Sequence, residues 1–438
     1  MNTQVNSPLV AIRTLGCKVN QYDAETLIKR LASEGFIIGK FEQISDVYII
    51  NTCTVTHVGD KKSLQLIRRA RRLNPSAFVA VCGCMPRNKS DSHTDSTKKI
   101  INAGADFIFD TRNPDDLLAK LSEIPRLNLP TLQAINTSKE PTKKRTRAFI
   151  KIQDGCDRFC SYCIVPYVRG PVNSRPVYDI LKEAEENIRH GVQEIVLTGI
   201  QVASYGYDTG SEHVNFPDLL KQMIALDPKR LRLSSIDPWA VNDDFLEVVA
   251  NSPTLCSHFH LSLQSGCDRT LAGMNRRYST ADYLKAAKQL RSLRPTIGLT
   301  TDVIVGFPGE TEEDFQESMR FVNEIGFSHI HVFEYSPRAG TAAADFPDQV
   351  PGNVKSERGN EMRTLAKTLK QRFLNAQVGT TTKVLFETQI TPSNIWHGHS
   401  DNYCIVKAQG TDLTNSIKNV LITNSTEDEL TGKIIKSG

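Results

Sequence analysis

Apolar and polar positions along this chain switch repeatedly between a period of two or an unbroken apolar run and a period near 3.6, so strands and helices should alternate. Residues 8–15 (LVAIRTLG) read as a strand, 22–34 as an amphipathic helix, 46–52 (DVYIINT) as a second strand, and 77–82 (AFVAVC) as a third after an intervening helix. This order predicts an open parallel α/β domain over residues 1–121. Between 122 and 147 the pattern dissolves into prolines and polar residues, which predicts a linker. From 148 the alternation resumes, with strands at 149–153, 193–198, 231–235, 258–263, 297–305 and 328–334. Helical stretches at 177–190, 216–226, 241–250, 280–293 and 311–325 separate them. Six β/α units predict a partial, TIM-like (β/α)6 barrel over 148–377, closed by a long helix near 353–377, with its chemistry at the carboxyl ends of the strands. Residues 378–438 carry short β-rich runs (TTTKVLFE, WHGHSDNYCIVKAQ, SIKNVLIT) between turn residues, and predict a small β-barrel.

Composition narrows the class without changing this layout. The 438 residues are 39% hydrophobic, enough for ordinary packed cores, and the net charge is only +4. No apolar run approaches the roughly 20 residues that a bilayer requires, so no membrane association is expected. The opening MNTQVNSPLV has no charged region followed by a hydrophobic one, and the expected address is the cytoplasm. Ten cysteines spread over such a length suit metal clusters in a reducing compartment better than a disulfide scaffold.

The placement of those cysteines carries the chemistry. Cys156, Cys160 and Cys163 stand at C-x3-C-x2-C in GCDRFCSYCIVPYVRG (155–170), directly after a predicted strand. A zinc site would want a fourth Cys or His nearby in paired C-x2-C spacings, and a redox dithiol needs only two thiols. Three thiolates on one tight loop suit a cubane cluster whose fourth iron has no protein ligand. Cys17, Cys53 and Cys84 each lie just past one of the first three strands. Since parallel strands end on one edge, these thiols can converge despite gaps of 36 and 31 residues. Cys82 falls inside an apolar run and Cys404 alternates with Tyr403 and Ile405, so both read as core.

Cations cluster in two places. The segment 61–73 (KKSLQLIRRARRL) carries Lys61, Lys62, Arg68, Arg69, Arg71 and Arg72 with no acid among them, a solvated helix face or a phosphate contact. The linker carries Lys143, Lys144 and Arg145 within KKRTR. Residues 86–98, polar and turn-rich, read as a loop in which His93 has no visible partner.

The loop at 155–170, with Tyr162 just before its third cysteine, resembles the signature of the radical S-adenosylmethionine enzymes. The full set of motifs, Gly16-Cys17, Asn51-Thr52-Cys53, Gly83-Cys84-Met85, Gln264-Ser265-Gly266 and Met274-Asn275-Arg276, resembles the methylthiotransferase branch of that superfamily over essentially the whole chain. TLGCKVN at 14–20 is most similar to the branch acting on N6-threonylcarbamoyladenosine at position 37 of tRNA; sister branches act on N6-isopentenyladenosine or on a ribosomal protein aspartate. The resemblance implies two [4Fe-4S] clusters, one on Cys156, Cys160 and Cys163 and an auxiliary one on Cys17, Cys53 and Cys84, together with S-adenosylmethionine. It implies that a 5′-deoxyadenosyl radical takes hydrogen from carbon 2 of the adenine and that the auxiliary cluster delivers a methylated sulfur. Tyr162, Thr198, Gly199, Gln201 and Gln264 would contact the cofactor; Thr198 to Gln201 depart from the two glycines and glutamate of many radical enzymes. The C-terminal module is similar to the RNA-binding TRAM domain and, with the basic stretches, would hold the anticodon stem-loop. Lys18 would pair with the threonylcarbamoyl carboxylate. An electron donor such as flavodoxin or ferredoxin is the further expected partner.

Overall fold

The structure, a computed structural model, describes residues 7–88, 96–127, 146–210, 214–390 and 392–435. His93 and the cations Lys143, Lys144 and Arg145 lie outside the described residues. The described residues fall into two compact units. One takes those within Met1–Thr142, Gly155–Pro171 and Ser336–Ala344; the other takes those within Lys143–Asp154, Val172–Tyr335 and Asp345–Gly438.

In the first unit the strands β1 (Leu9–Thr14), β2 (Ile37–Gly39), β3 (Val47–Thr52), β4 (Phe78–Gly83) and β5 (Phe107–Ile108) form one parallel sheet in the order β2-β1-β3-β4-β5. The helices are α1 (Lys18–Ser33), α2 (His57–Leu73), α3 (Cys84–Arg87), α4 (Ser96–Asn102), α5 (Asp115–Ser122) and α6 (Val165–Arg169). Central strands covered on both faces need apolar residues at every position. Every residue of β3 and β4 is buried, with Val47, Ile49, Phe78, Ala80 and Cys82 in one apolar cluster and Tyr48, Ile50, Val79 and Val81 in the other. Cys82 is thus core, as its sequence position predicts, and burial pushes its thiol far up. The stretch read as a loop at 86–98 is helical at both described ends, in α3 and α4.

In the second unit β6 (Arg147–Lys151), β9 (Glu194–Thr198) and β10 (Leu231–Leu233) form one parallel sheet, and β11 (His258–His260), β12 (Gly298–Val305) and β13 (His329–Glu334) another. Parallel bridges Leu231 to Leu255 and Ile236 to Leu261 join the two sheets into the expected partial barrel. A short antiparallel pair, β7 (Gln153–Asp154) with β8 (Asn173–Ser174), lies in sequence on either side of the cysteine loop. The helices α7 (Val177–Arg189), α8 (Phe216–Ala225), α9 (Asp243–Asn251), α10 (Asp268–Gly273), α11 (Thr280–Leu293), α12 (Glu312–Ile325) and α13 (Gly352–Asn375) follow in turn. Alternate strand residues such as Ile195, Leu197, Leu233, Phe259, Leu299 and Val303 pack with helix residues such as Ile180, Leu220, Phe245, Tyr283 and Phe315 in one core. The other face of the strands carries many polar residues, with Glu194, Arg232, His258, His260, Thr300, Asp302 and His331 belonging to it by alternation.

The chain ends in a closed barrel, β14 (Thr381–Ile390), β15 (Ile395–Ser400), β16 (Ile405–Gln409), β17 (Ser416–Ser425) and β18 (Leu430–Ile434), in the order β14-β15-β16-β18-β17. Its β15–β16 turn meets the amino ends of the larger barrel's strands. Arg230 donates to the carbonyls of His399 and Ser400 at 3.0 and 2.7 Å, and Asn402 to that of Thr296 at 3.0 Å. A side chain at Gly298 would lie 2.3 Å from the Asn402 carbonyl, so only glycine fits there. Behind this seam Glu194, fully buried, pairs with Arg232 and Arg230, each at 3.0 Å. Burial pushes its carboxyl up, but the two guanidiniums outweigh that and hold it well below the glutamate range. The seam closes the amino ends and leaves the carboxyl ends for chemistry.

Because the folded Glu194 carboxyl ionises more readily than the unfolded one, its stabilisation is complete above the ordinary glutamate range and drains away as the pH falls below it. Glu194→Gln is expected to cost about 3–5 kcal/mol at neutral pH, since buried arginines lose their counter-charge. It should also flatten that part of the acid-unfolding curve. Urea midpoints measured across the acid range check both.

Candidate functional site

Cys17, Cys53 and Cys84 sit where three neighbouring parallel strands end. Cys17 is the residue before α1, Cys53 follows β3, and Cys84 opens α3 immediately after β4. Since β1, β3 and β4 are adjacent, two strand spacings bring all three within about 10 Å of edge. The glycine before two of these cysteines has a steric cause. Gly16, at φ +103°, would place a side chain 3.0 Å from Cys53 Cβ and 3.2 Å from its Sγ. Gly83, at φ +93°, would place one 2.4 Å from the Thr52 carbonyl. The backbone therefore approaches the end of β3 from both sides.

The asparagines and threonine of the same motifs fix this edge. Asn20, buried in α1, donates to the carbonyls of Leu15 and Thr52 at 2.7 and 3.0 Å, and its Oδ1 lies 3.9 Å from Cys84 Sγ. Asn51 donates to the Asn20 carbonyl at 2.8 Å. The Thr52 hydroxyl donates to the Cys82 carbonyl at 2.6 Å and accepts from Met85 N at 3.2 Å. Burial pushes the thiols of Cys53 and Cys84 up, and the neighbouring thiolates push them further, while Arg169 pulls both down. A cation shared by three converging thiols offsets that cost, so the triad fits a metal cluster.

The loop bearing Cys156, Cys160 and Cys163 belongs to this same unit. Its neck is closed by Cys156 N donating to the Gly170 carbonyl at 3.0 Å. At Gly155, φ +71°, a side chain would collide with the Pro171 carbonyl. Inside, Cys163 N donates to the Cys160 carbonyl at 2.9 Å, and the Ser161 carbonyl accepts from Ala343 at 2.8 Å. All three thiols are half-buried, as is Tyr162. The two triads are neighbours: Cys84 packs with Ile164 and Val168, the residues that follow Cys163. From α6 the buried Arg169 reaches Asn20 Oδ1 and lies 3.6 Å from the Asp23 carboxylate. Arg338 likewise ties the 336–344 segment to α2, pairing with Asp60 at 2.6 Å.

In the other unit the carboxyl ends carry a separate polar array. Gln201, after β9, donates its backbone N–H to Gln153 Oε1 at 2.9 Å and its side-chain amide to Asp237 at 2.6 Å. Arg276 pairs with the same Asp237. Thr198 is buried at the end of β9. A side chain at Gly199 would come within 3.0 Å of Gln153. Gln264 adopts φ +71°, rare for a residue with a side chain, bonded through its backbone to Asp302 and Ile304 at 2.9 Å each. Such strain is typical of functional positions.

Residues 150–322 match the family model for the Radical SAM superfamily, and residues 9–103 match the uncharacterized protein family UPF0004. The chain is 37% identical to the threonylcarbamoyladenosine tRNA methylthiotransferase MtaB of Bacillus subtilis, over 94% of this chain and 93% of that one. It is 33% identical to the tRNA-2-methylthio-N(6)-dimethylallyladenosine synthase of Carboxydothermus hydrogenoformans, over 97% and 95%. The chain belongs to the radical S-adenosylmethionine methylthiotransferase family. In fold it resembles the radical S-adenosylmethionine methyltransferase TsrM of Kitasatospora setae, with a TM-score of 0.55 over 77% of each chain at 15% identity.

In this methylthiotransferase the Cys156 loop falls within the radical domain, the kind that holds a [4Fe-4S] cluster and S-adenosylmethionine, and the other triad falls within the N-terminal match. The basic helix divides. Lys61, Lys62, Arg68 and Arg72 are exposed; Arg69 is 3.8 Å from Glu42. Arg71 turns inward, donating to the carbonyls of Gly104 and Ala77 and pairing with Asp106 at 2.6 Å, so it holds a turn. Lys18, half-buried, opens α1 beside Cys17. Sequence reasoning missed Arg169, Asn20 and Asp237 as site residues. The first two lie inside quoted motifs, but nothing in the motifs says which side chain points where; Asp237 carries no signal short of the fold.

Gly83→Ala is expected to cost about 1–3 kcal/mol, because its φ is left-handed and its new methyl meets backbone. Thermal unfolding measures the loss, and a faster reaction of Cys84 with a thiol reagent in the apo protein marks the displaced strand end.

Proposed function

We propose that this methylthiotransferase converts N6-threonylcarbamoyladenosine at position 37 of tRNA to its 2-methylthio derivative. The observation that carries the reading is the packing of two three-cysteine sets in one unit, Cys84 against Ile164 and Val168. Each set fits a [4Fe-4S] cluster, the auxiliary one on Cys17, Cys53 and Cys84. The threonylcarbamoyl branch is supported by the relative of Bacillus subtilis and by those of Aquifex aeolicus and Thermotoga maritima, 34% and 33% identical.

When bound, the two clusters and S-adenosylmethionine supply the radical that opens an unactivated carbon–hydrogen bond and the sulfur that replaces the hydrogen. The chain's own residues hold and orient. Arg169 sets a positive charge beside Cys84 and Cys53, which lowers the cost of their thiolate forms. Asn20, Asn51 and Thr52 lock the strand ends so that the thiols keep their spacing. Gln201 and Arg276, fixed by Asp237, would present donors at the carboxyl ends for polar groups of the cofactor, together with Thr198, Gly199 and Gln264. Tyr162 would be a further cofactor contact. Lys18 pairs with the threonylcarbamoyl carboxylate, a group that an isopentenyl chain lacks. The exposed cations of α2, the linker cations and the C-terminal barrel hold the phosphates of the anticodon stem-loop without reading bases. A flavodoxin or ferredoxin delivers the electron, and the protein works in the cytoplasm.

Cys17→Ala and Cys156→Ala are each expected to lose about half of the iron and sulfide of the reconstituted protein, independently of one another. Loss of all iron in either variant would point to a single shared centre. Mass spectrometry of tRNA nucleosides from a deletion strain should show loss of 2-methylthio-N6-threonylcarbamoyladenosine, restored by the wild-type chain and restored less by Lys18→Ala. Loss of the isopentenyl derivative instead would move the enzyme to the sister branch, and an unchanged profile would overturn the assignment.

A further inference from the structure

The polar face of the larger barrel holds a cluster to which the proposed function assigns no role. By strand register His260 stands opposite Thr300 and Asp302 stands opposite His331. Thr300 and Asp302 are two residues apart on β12, so His260, Asp302 and His331 share one face of three adjacent strands. The opposite face, with Phe259, Leu261, Leu299, Val303 and Ile330, is packed in the core. One ligand atom from each of the three lies within 4.8 Å of the other two. His260 Nε2 is 3.4 Å from the Asp302 carboxylate; it is buried and has no hydrogen-bond partner among the described residues. Its other ring nitrogen, Nδ1, is 3.1 Å from the Thr300 hydroxyl. A hydroxyl on one imidazole nitrogen, with the other aimed at a carboxylate and a second imidazole, is how proteins orient a metal-binding histidine.

We propose that His260, Asp302 and His331 form a binding site for a divalent first-row transition cation of the zinc or iron(II) class. Two imidazoles and one carboxylate on one side of an ion leave its remaining positions open to water or to oxygen ligands. Donors at about 2.0–2.2 Å from one ion stand about 3.4 Å apart. The ligand atoms therefore close by up to about 1.4 Å on binding, which a rotation of the exposed His331 covers. The site has no sulfur donor and belongs to the unit that does not hold the six cluster cysteines. It stands independently of the proposed function.

The test uses the full chain, anaerobically reconstituted with iron and sulfide so that the cluster cysteines are occupied, passed over a chelating resin and titrated with zinc alone. Zinc and iron are counted together by mass spectrometry. Wild type is expected to take up one additional zinc per chain. His331→Ala, at an exposed strand position that leaves the core intact, and Asp302→Asn are each expected to bind it at least about tenfold more weakly with iron content unchanged. Equal zinc uptake by wild type and both variants would mean the ion sits elsewhere; no uptake by wild type would mean a histidine–carboxylate pair that only supports the barrel. Either result overturns the proposal.

Discussion

Parallel strands deliver their last residues to one edge, and this constraint organises the molecule. In the first unit it turns three cysteines separated by more than thirty residues each into one triad, because β1, β3 and β4 are neighbours. In the second it brings Gln201, Asp237 and Arg276 to a common point after three different strands. Neither grouping could be built on a continuous segment. Both depend on strands buried enough to hold their register; in the first unit the two-sided apolar packing of β3 and β4 ensures this.

Close backbone approach is the second theme. Gly16, Gly83 and Gly155 each stand beside a cysteine, and a side chain at any of them would meet the next segment of chain. Three of the cysteine motifs begin with glycine because the backbone there passes too close to the neighbouring chain for a side chain. The buried polar side chains around them, Asn20 above all, satisfy carbonyls that the strand ends would otherwise leave unpaired. Arg169 adds a buried cation beside two thiols whose burial opposes ionisation.

The C-terminal barrel serves the larger one as a cover for its amino ends as well as a surface of its own. Glu194, Arg230 and Arg232 make that seam a buried charge cluster whose parts cannot be separated cheaply. The strand face above it carries His260, Asp302 and His331 among its residues.

The sequence by itself determined the alternation of strands and helices, the strand-end position of Cys17, Cys53 and Cys84, the core role of Cys82 and the three-thiol loop, because each is written in local periodicity or spacing. The structure alone decided what distant residues do to one another. Arg71 was indistinguishable from its basic neighbours until the fold placed Asp106 and the Gly104 carbonyl beside it. Asp237 shows no motif, and no local pattern joins His260, Asp302 and His331, since their meeting depends on strand order and register rather than on spacing. That the cysteine loop packs with the N-terminal unit is a fact of tertiary contact between Cys84, Ile164 and Val168, and no local pattern encodes it.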